Sequence, residues 1–421
     1  MRPNNFLNNG INNIVNNGIN NLQNKFAQMN LNNGIKNHQR GFSFDHNSNN
    51  NNFSQNKINS NVGNSNNNRK RPESTPPLVI KKNHANGIVN IGASCYMNAT
   101  IQCLAHVENL TKHFLKHKNI EKIISNKYKC KLSNSFLKVL QNLWLNNKIK
   151  YYSPDDFKNI ISEMNPLFAG IQANDSKDLI LFLMETIHNE LNTAQNINPP
   201  NQTLNQYDYE ATFKLFSNYI KNNYRSVISN LFYGMYNSMM KCLNCNIITH
   251  NIQCYNILIF PLEEVRKYKN RMQNMVDIIE CFEYYQKEDY MIGQNQIYCN
   301  NCHIMANSVN ISKLIIAPNV LVINLNRGKG LQFNIKIKFG EFLDIKNFVY
   351  YKDKSPTFYE LIGIVTHFGP SSMGGHFIAF CKSFVDQNWY KYNDAQVDVS
   401  SFQEASITGV PYILFYSMIK K

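Results

Sequence analysis

The chain has 421 residues, 43 Lys plus Arg against 28 Asp plus Glu, a formal charge of +15 and an apolar fraction of 43%. This excludes a minimal disulfide-stapled domain and supplies enough apolar material for one large core or two to three smaller ones. No apolar run reaches the roughly 18 residues of a membrane helix, and nothing after Met1-Arg2-Pro3-Asn4-Asn5 has the form of a signal peptide. A soluble cytoplasmic or nuclear protein is expected, without membrane contact, its ten cysteines mostly reduced. Thiols in such a protein serve as metal ligands, nucleophiles or core filler. The joint richness in Asn, Lys, Ile, Tyr and Phe is a composition bias, so the positive charge does not by itself select nucleic acid or an acidic surface as partner.

In chain order, Met1 to Asn68 is low-complexity, with roughly two residues in five Asn and the phrase Asn-Asn-Gly-Ile at Asn8, Asn16 and Asn32. It lacks the apolar density to offset chain entropy, which predicts a disordered arm over residues 1–85, including the basic cluster Arg69-Lys70-Arg71 and a linker with Pro72, Pro76 and Pro77. Globular composition begins near Asn86. Helices are predicted over Asn98–Val107, over Ser133–Leu145 (Phe136, Val139, Leu140 and Leu143 at helical spacing), from Ser153-Pro154-Asp155-Asp156, and over Asp175–Leu191. After Tyr255 the pattern is strand-like: Asn256–Leu262, Asn319–Leu325, Asn334–Phe339, Tyr359–His367, His376–Lys382, Trp389–Asn393 and Tyr412–Met418. Helices followed by strands is the order of an α+β fold.

Two knuckles, Cys242-Leu243-Asn244-Cys245 and Cys299-Asn300-Asn301-Cys302, carry four thiolates able to complete a tetrahedron around structural zinc. Cys95 stands elsewhere, after a glycine-bearing turn (Gly92-Ala93-Ser94) and at the start of a predicted helix, where unpaired amides favour a thiolate and an oxyanion. Asn90, five residues upstream, is a candidate side-chain donor to that oxyanion. Gly374-Gly375-His376 heads an apolar strand and supplies a base. Asn393 or Asp394, one strand later, is placed to orient its imidazole, and His367 is a competing base. Cys103, Cys130, Cys254, Cys281 and Cys381 read as core thiols.

These residues resemble the ubiquitin-specific protease family. Gly87 to Leu104 is similar to its cysteine box, Gln172 to Leu183 to its acidic motif, and Tyr359 to Tyr416 to its histidine box, with the knuckles between them. The resemblance implies a papain-like cysteine protease fold of right-hand architecture over residues 86–421: a helical thumb (about 86–225), zinc-bearing β fingers (about 226–320) and a β-rich palm (about 321–421). It implies a Cys95–His376–Asn393 triad with Asp394 beside it, Asn90 in the oxyanion hole, and Asp175 on the backbone of the ubiquitin tail. Gly374 and Gly375, with His367 nearby, would border a channel that admits Gly-Gly.

The implied partners are ubiquitin and ubiquitinated proteins, met by a monomeric catalytic domain; nucleic acid is not expected. Departures from the family pattern are Ser94 for Thr, Asp178 for Glu, Phe377 for Tyr, Ala173-Asn174 before Asp175, and Gly328 instead of Phe after Arg327. None removes a reacting group, so an active deubiquitinase is expected. The alternative is a catalytically silent ubiquitin-binding scaffold of the same fold.

Overall fold

Five longer helices occupy the first half of the described chain: α1 (Cys95–Ala105), α2 (Lys131–Trp144), α3 (Asp155–Met164), α4 (Ser176–Leu191) and α5 (Tyr209–Asn223). The structure is a computed structural model, and it describes residues 80, 82–126, 128–194, 206–327, 333–371 and 374–419. The Asn-rich segment, the Arg69-Lys70-Arg71 cluster with its prolines, and Gly328 lie outside the described residues. α2 buries Phe136, Val139, Leu140, Leu143 and Trp144 along one face, and α4 buries Leu179, Leu183 and Ile187. α1 differs: all of its residues are buried, the polar ones included. A helix enclosed on every side can find partners for its polar groups only within the protein. Thr100 accordingly donates to the Tyr96 carbonyl at 2.7 Å, and Gln102 to the Asn86 carbonyl at 2.8 Å.

Strands begin earlier than the sequence pattern suggested: Gly87–Ile88 and Tyr151–Tyr152 form a short parallel pair, and the longer strands start at Gly234 rather than after Tyr255. One four-stranded antiparallel sheet joins β1 (Gly234–Cys242), β2 (Ile248–Tyr255), a later strand at Glu288–Met291 and Ser308–Ile316, in the order β2–β1–Ser308–Ile316–Glu288–Met291. Short helices at Leu262–Tyr268 and Ile278–Tyr285 interrupt the expected strand run. Of the remaining strands, those of the two larger sheets are labelled in chain order β3 (Leu258–Pro261), β4 (Glu288–Met291), β5 (Ser308–Ile316), β6 (Val320–Asn326), β7 (Phe358–Ser371), β8 (Gly374–Lys382), β9 (Trp389–Asn393), β10 (Gln396–Ser400) and β11 (Val410–Met418), leaving aside short strands of two or three residues. The main sheet runs β10–β9–β8–β7–β11–β6–β3, antiparallel throughout except that β3 joins β6 in parallel.

Both faces of this sheet are covered, which explains why β8 reads as a continuous apolar run instead of an alternating one. Ala379 and Cys381 pack with α1, α2 and α4, together with Val365, Ile413 and Phe415. Ile378 and Phe380 pack on the opposite side with Leu314, Leu361 and Tyr416. Arg327 is buried between strands, where Nε donates to the Pro411 carbonyl at 2.9 Å and Nη1 to the Phe333 and Ile335 carbonyls. Segregated helices and largely antiparallel sheets make the α+β class. Among the described residues no helix is long and apolar enough to cross a membrane.

Candidate active site

Cys95 opens α1, and the turn before it is bent by two residues with positive φ, Gly92 at 108° and Ala93 at 42°. Ala in that region is strained, a cost tolerated where geometry matters. The Asn90 side chain braces the turn: its Oδ1 accepts from the amides of Gly92 and Ser94 at 3.2 and 3.1 Å. The backbone bonds of α1 begin at Met97 and Asn98, both to the Ser94 carbonyl, so the Cys95 amide is one of the donors that a helix start leaves without an intrahelical partner. Cys95 is 4% exposed.

The opposing wall is β8. His376 is hydrogen-bonded to Cys95, and its Nε2 lies 2.7 Å from Asn393 Oδ1. Since Nε2 is taken by Asn393, Nδ1 is the atom presented to the thiol. The hydrogen bond with Cys95, supported by that with Asn393 and by the charge of Asp394, outweighs burial and raises the His376 pKa from 6.5 to about 9. The Asp394 carboxylate stands 3.7 Å from Nε2. Asn393 thus ends a strand with its amide on the imidazole, while Asp394, one residue on at φ 51°, comes in from the turn.

Other expected residues sit differently from their simplest reading. The Asn90 amide nitrogen faces Asp394 Oδ2 at 2.9 Å. Asp175 caps α4 through the Lys177 amide at 2.7 Å and accepts the Tyr412 hydroxyl at 2.6 Å. His367, expected as a competing base, is 3% exposed and flanked by the rings of Phe333 and Phe377. Its pKa is lowered, by burial first and then by the charge of His376. Cys95 has the other histidine as partner. Gly374 faces open space, whereas Gly375 packs on His367: a Cβ there would lie 2.4 Å from His367 Cε1 and 2.2 Å from the Phe368 carbonyl oxygen.

The cysteine box holds one further polar residue at the site. Asn98, one turn into α1, donates to Asp394 Oδ1 at 2.7 Å. The sequence signal was available, an Asn and a Gln one turn apart in a mostly apolar helix, but the partner of Asn98 lies 296 residues away.

At the far end of the four-stranded sheet, Cys242, Cys245, Cys299 and Cys302 bring all four sulfurs within 4.8 Å of one another, a group positioned to bind a metal. Cys242 and Cys302 sulfurs are 3.9 Å apart, and those of Cys245 and Cys299 are 3.7 Å apart. A tetrahedral thiolate site with metal–sulfur bonds of about 2.3 Å has edges of about 3.8 Å, so the donor set fits. Asn246 and His303, each directly after a knuckle, adopt positive φ of 61° and 56° and turn the chain back. Of the other thiols, Cys103, Cys130, Cys281 and Cys381 are buried and Cys254 partly so.

Residues 86–416 match the family model described as ubiquitin carboxyl-terminal hydrolase. Among curated proteins, ubiquitin carboxyl-terminal hydrolase 2 of Bos taurus is 26% identical over 343 residues, covering 79% of this chain and 55% of its own length. Ubiquitin carboxyl-terminal hydrolase 21 of Homo sapiens is 26% identical over 368 residues, covering 82% and 63% respectively. The chain therefore spans little more than half the length of these relatives. Among solved structures, the SAGA Ubp8/Sgf11/Sus1/Sgf73 DUB module bound to ubiquitin aldehyde superposes with a TM-score of 0.60 at 22% identity, covering 82% of this chain and 72% of that one. That likeness carries the fold.

Proposed function

The chain belongs to the ubiquitin carboxyl-terminal hydrolase family, and on that premise we propose that it is a thiol-dependent deubiquitinase acting after the C-terminal glycine of ubiquitin. The observation that carries this reading is the Cys95–His376–Asn393 chain of hydrogen bonds at a helix start. In the proposed reaction the Cys95 thiolate attacks the glycine carbonyl carbon while His376 holds the proton at Nδ1. The Cys95 amide and, once turned from Asp394, the Asn90 amide donate to the developing oxyanion, each worth about 2.7–4 kcal/mol. His376 protonates the leaving amine and then takes a proton from water as it releases the thioester. Asn393 fixes the imidazole, and Asp394 supplies negative charge beside it.

The four cysteines would hold zinc, which with four protein ligands serves as a cross-link between two hairpins and takes no part in bond breaking. Residues 86–421 form the catalytic domain in this reading, with thumb, fingers and palm near 86–225, 226–320 and 321–421, and residues 1–85 as an appended arm. Ubiquitin and its conjugates are the partners, and a cytoplasmic or nuclear location follows. Asp175 serves the ubiquitin tail only if Tyr412 shares its carboxylate, and Gly374 offers the open edge of the tail channel.

The test is incubation with ubiquitin bearing a C-terminal thiol-reactive group, followed by intact mass. One adduct, located on Cys95 and abolished in Cys95→Ala, is expected. No adduct from folded, zinc-loaded protein would leave the silent scaffold as the reading.

A further inference from the structure

Asn98 is 2% exposed, and its amide nitrogen makes its shortest contact, 2.7 Å, with Asp394 Oδ1; the Ile88 and Val89 carbonyls lie farther off at 3.3 and 3.2 Å. Its own carbonyl oxygen is buried with no hydrogen-bond partner among the described residues. An amide kept in a core with half its polar atoms unsatisfied carries a cost that an apolar side chain would not. The donor half is therefore where its value lies, and that half is aimed at the carboxylate beside the base.

Asp394 sits at φ 51° in the two-residue turn between β9 and β10. Its Oδ2 is held at 2.9 Å by Asn90, an exposed side chain whose Oδ1 is at the same time engaged by the Gly92 and Ser94 amides. The two amides hold the two oxygens of one carboxylate, Asn90 from the exposed turn and Asn98 from the enclosed helix.

We infer that Asn98 is a positioning residue that holds the Asp394 carboxylate beside His376, tying the helix of the nucleophile to the hairpin that orients the base. The inference rests on the thiol-protease reading of Cys95 and His376, not on the identity of the modifier. The groups facing His376 are Cys95 from α1, Asn393 and Asp394 from the β9–β10 hairpin, and His367 from β7. Of these, Asp394 is the one whose placement Asn98 governs.

The experiment compares wild type, Asn98→Ala, Asn98→Ser, Asp394→Asn and the Asn98→Ala/Asp394→Asn pair in the full chain. Two readouts are taken: kcat and KM on a fluorogenic C-terminal amide of ubiquitin, and the titration of the His376 ring followed by NMR with ring-labelled histidine. Asn98→Ala should lower kcat about tenfold or more with KM within about twofold, and the pair should be no worse than Asp394→Asn alone. The His376 midpoint should fall below that of the wild type. Asn98→Ser, which keeps a donor, should recover part of both effects.

Losses that multiply in the pair, or a His376 midpoint unmoved in Asn98→Ala, overturn the inference. If Asn98→Ala does not fold, Asn98→Ser must still shift the midpoint in the same direction, and no shift overturns it equally. A wild type that leaves the ubiquitin amide intact refutes the deubiquitinase reading, while the NMR midpoint still decides the role of Asn98.

Discussion

His376 keeps its proton through neutral pH, because the hydrogen bonds of its partners Cys95 and Asn393 and the nearby Asp394 stabilise the imidazolium more than burial penalises it. Its folded pKa, about 9, lies above the ordinary 6.5. The contribution to stability is thus fully present below pH 6.5 and is lost as pH rises through about 9. The same ionisation sets an alkaline limb on catalysis: kcat/KM on a ubiquitin amide should decline above about pH 9. Replacing Asn393 by Ala removes a hydrogen bond that favours the proton, so the limb should move to lower pH. A limb that stays in place in that variant would belong to another group.

Two elements are joined where the cysteine segment meets the β9–β10 turn, and Gly87 is the contact. A Cβ on Gly87 would lie 2.2 Å from the Ala395 carbonyl oxygen and 2.5 Å from its carbon, backbone atoms that cannot swing aside. The neighbouring Ile88 amide donates to the Asp394 carbonyl at 2.9 Å, so separating these strands moves the orienting turn away from the nucleophile. Gly87→Ala should therefore cost about 1–3 kcal/mol in denaturant unfolding and lower turnover as well. Unchanged stability would mean that the turn relaxes freely. The knuckle hairpins are a second, separable element. Stripping metal with a chelator should raise KM for ubiquitin while leaving alkylation of Cys95 by iodoacetamide unchanged, since the four thiols lie at the ends and turns of two β-hairpins and not on α1. Loss of Cys95 alkylation on chelation would show instead that the two regions unfold together.

Across the whole molecule, the core extends a few residues ahead of the cysteine segment. Ala85 is fully buried, Lys82 donates to the Asn146 carbonyl at 2.7 Å, and Ser383 donates to the Asn83 carbonyl. Removing residues 1–79 should leave turnover of ubiquitin amide and Tm unaltered. Removing 1–85 should lower Tm by about 2–4 °C for each kcal/mol of anchoring lost. Equal Tm values for the two truncations would show that Lys82 to Ala85 contribute nothing.

Cys95, His376 and the four knuckle cysteines were legible in the chain because their chemistry depends on near neighbours: a glycine-rich turn into a helix, a glycine pair before a strand, two thiols separated by two residues. Helix α4 was legible for the same reason, its cap and apolar period lying within one segment. The choice between Asn393 and Asp394 was not, since it depends on which side chain the strand end and which the turn directs at an imidazole on the adjacent strand. Nor were the partners of Asn90, Asn98, Asp175 and His367, each of which is met across a gap of many residues. Local sequence thus determined which reactive groups the protein carries. Only tertiary packing, with α1 enclosed against β8, decided which of them share a proton, which hold the others in place, and which are merely buried.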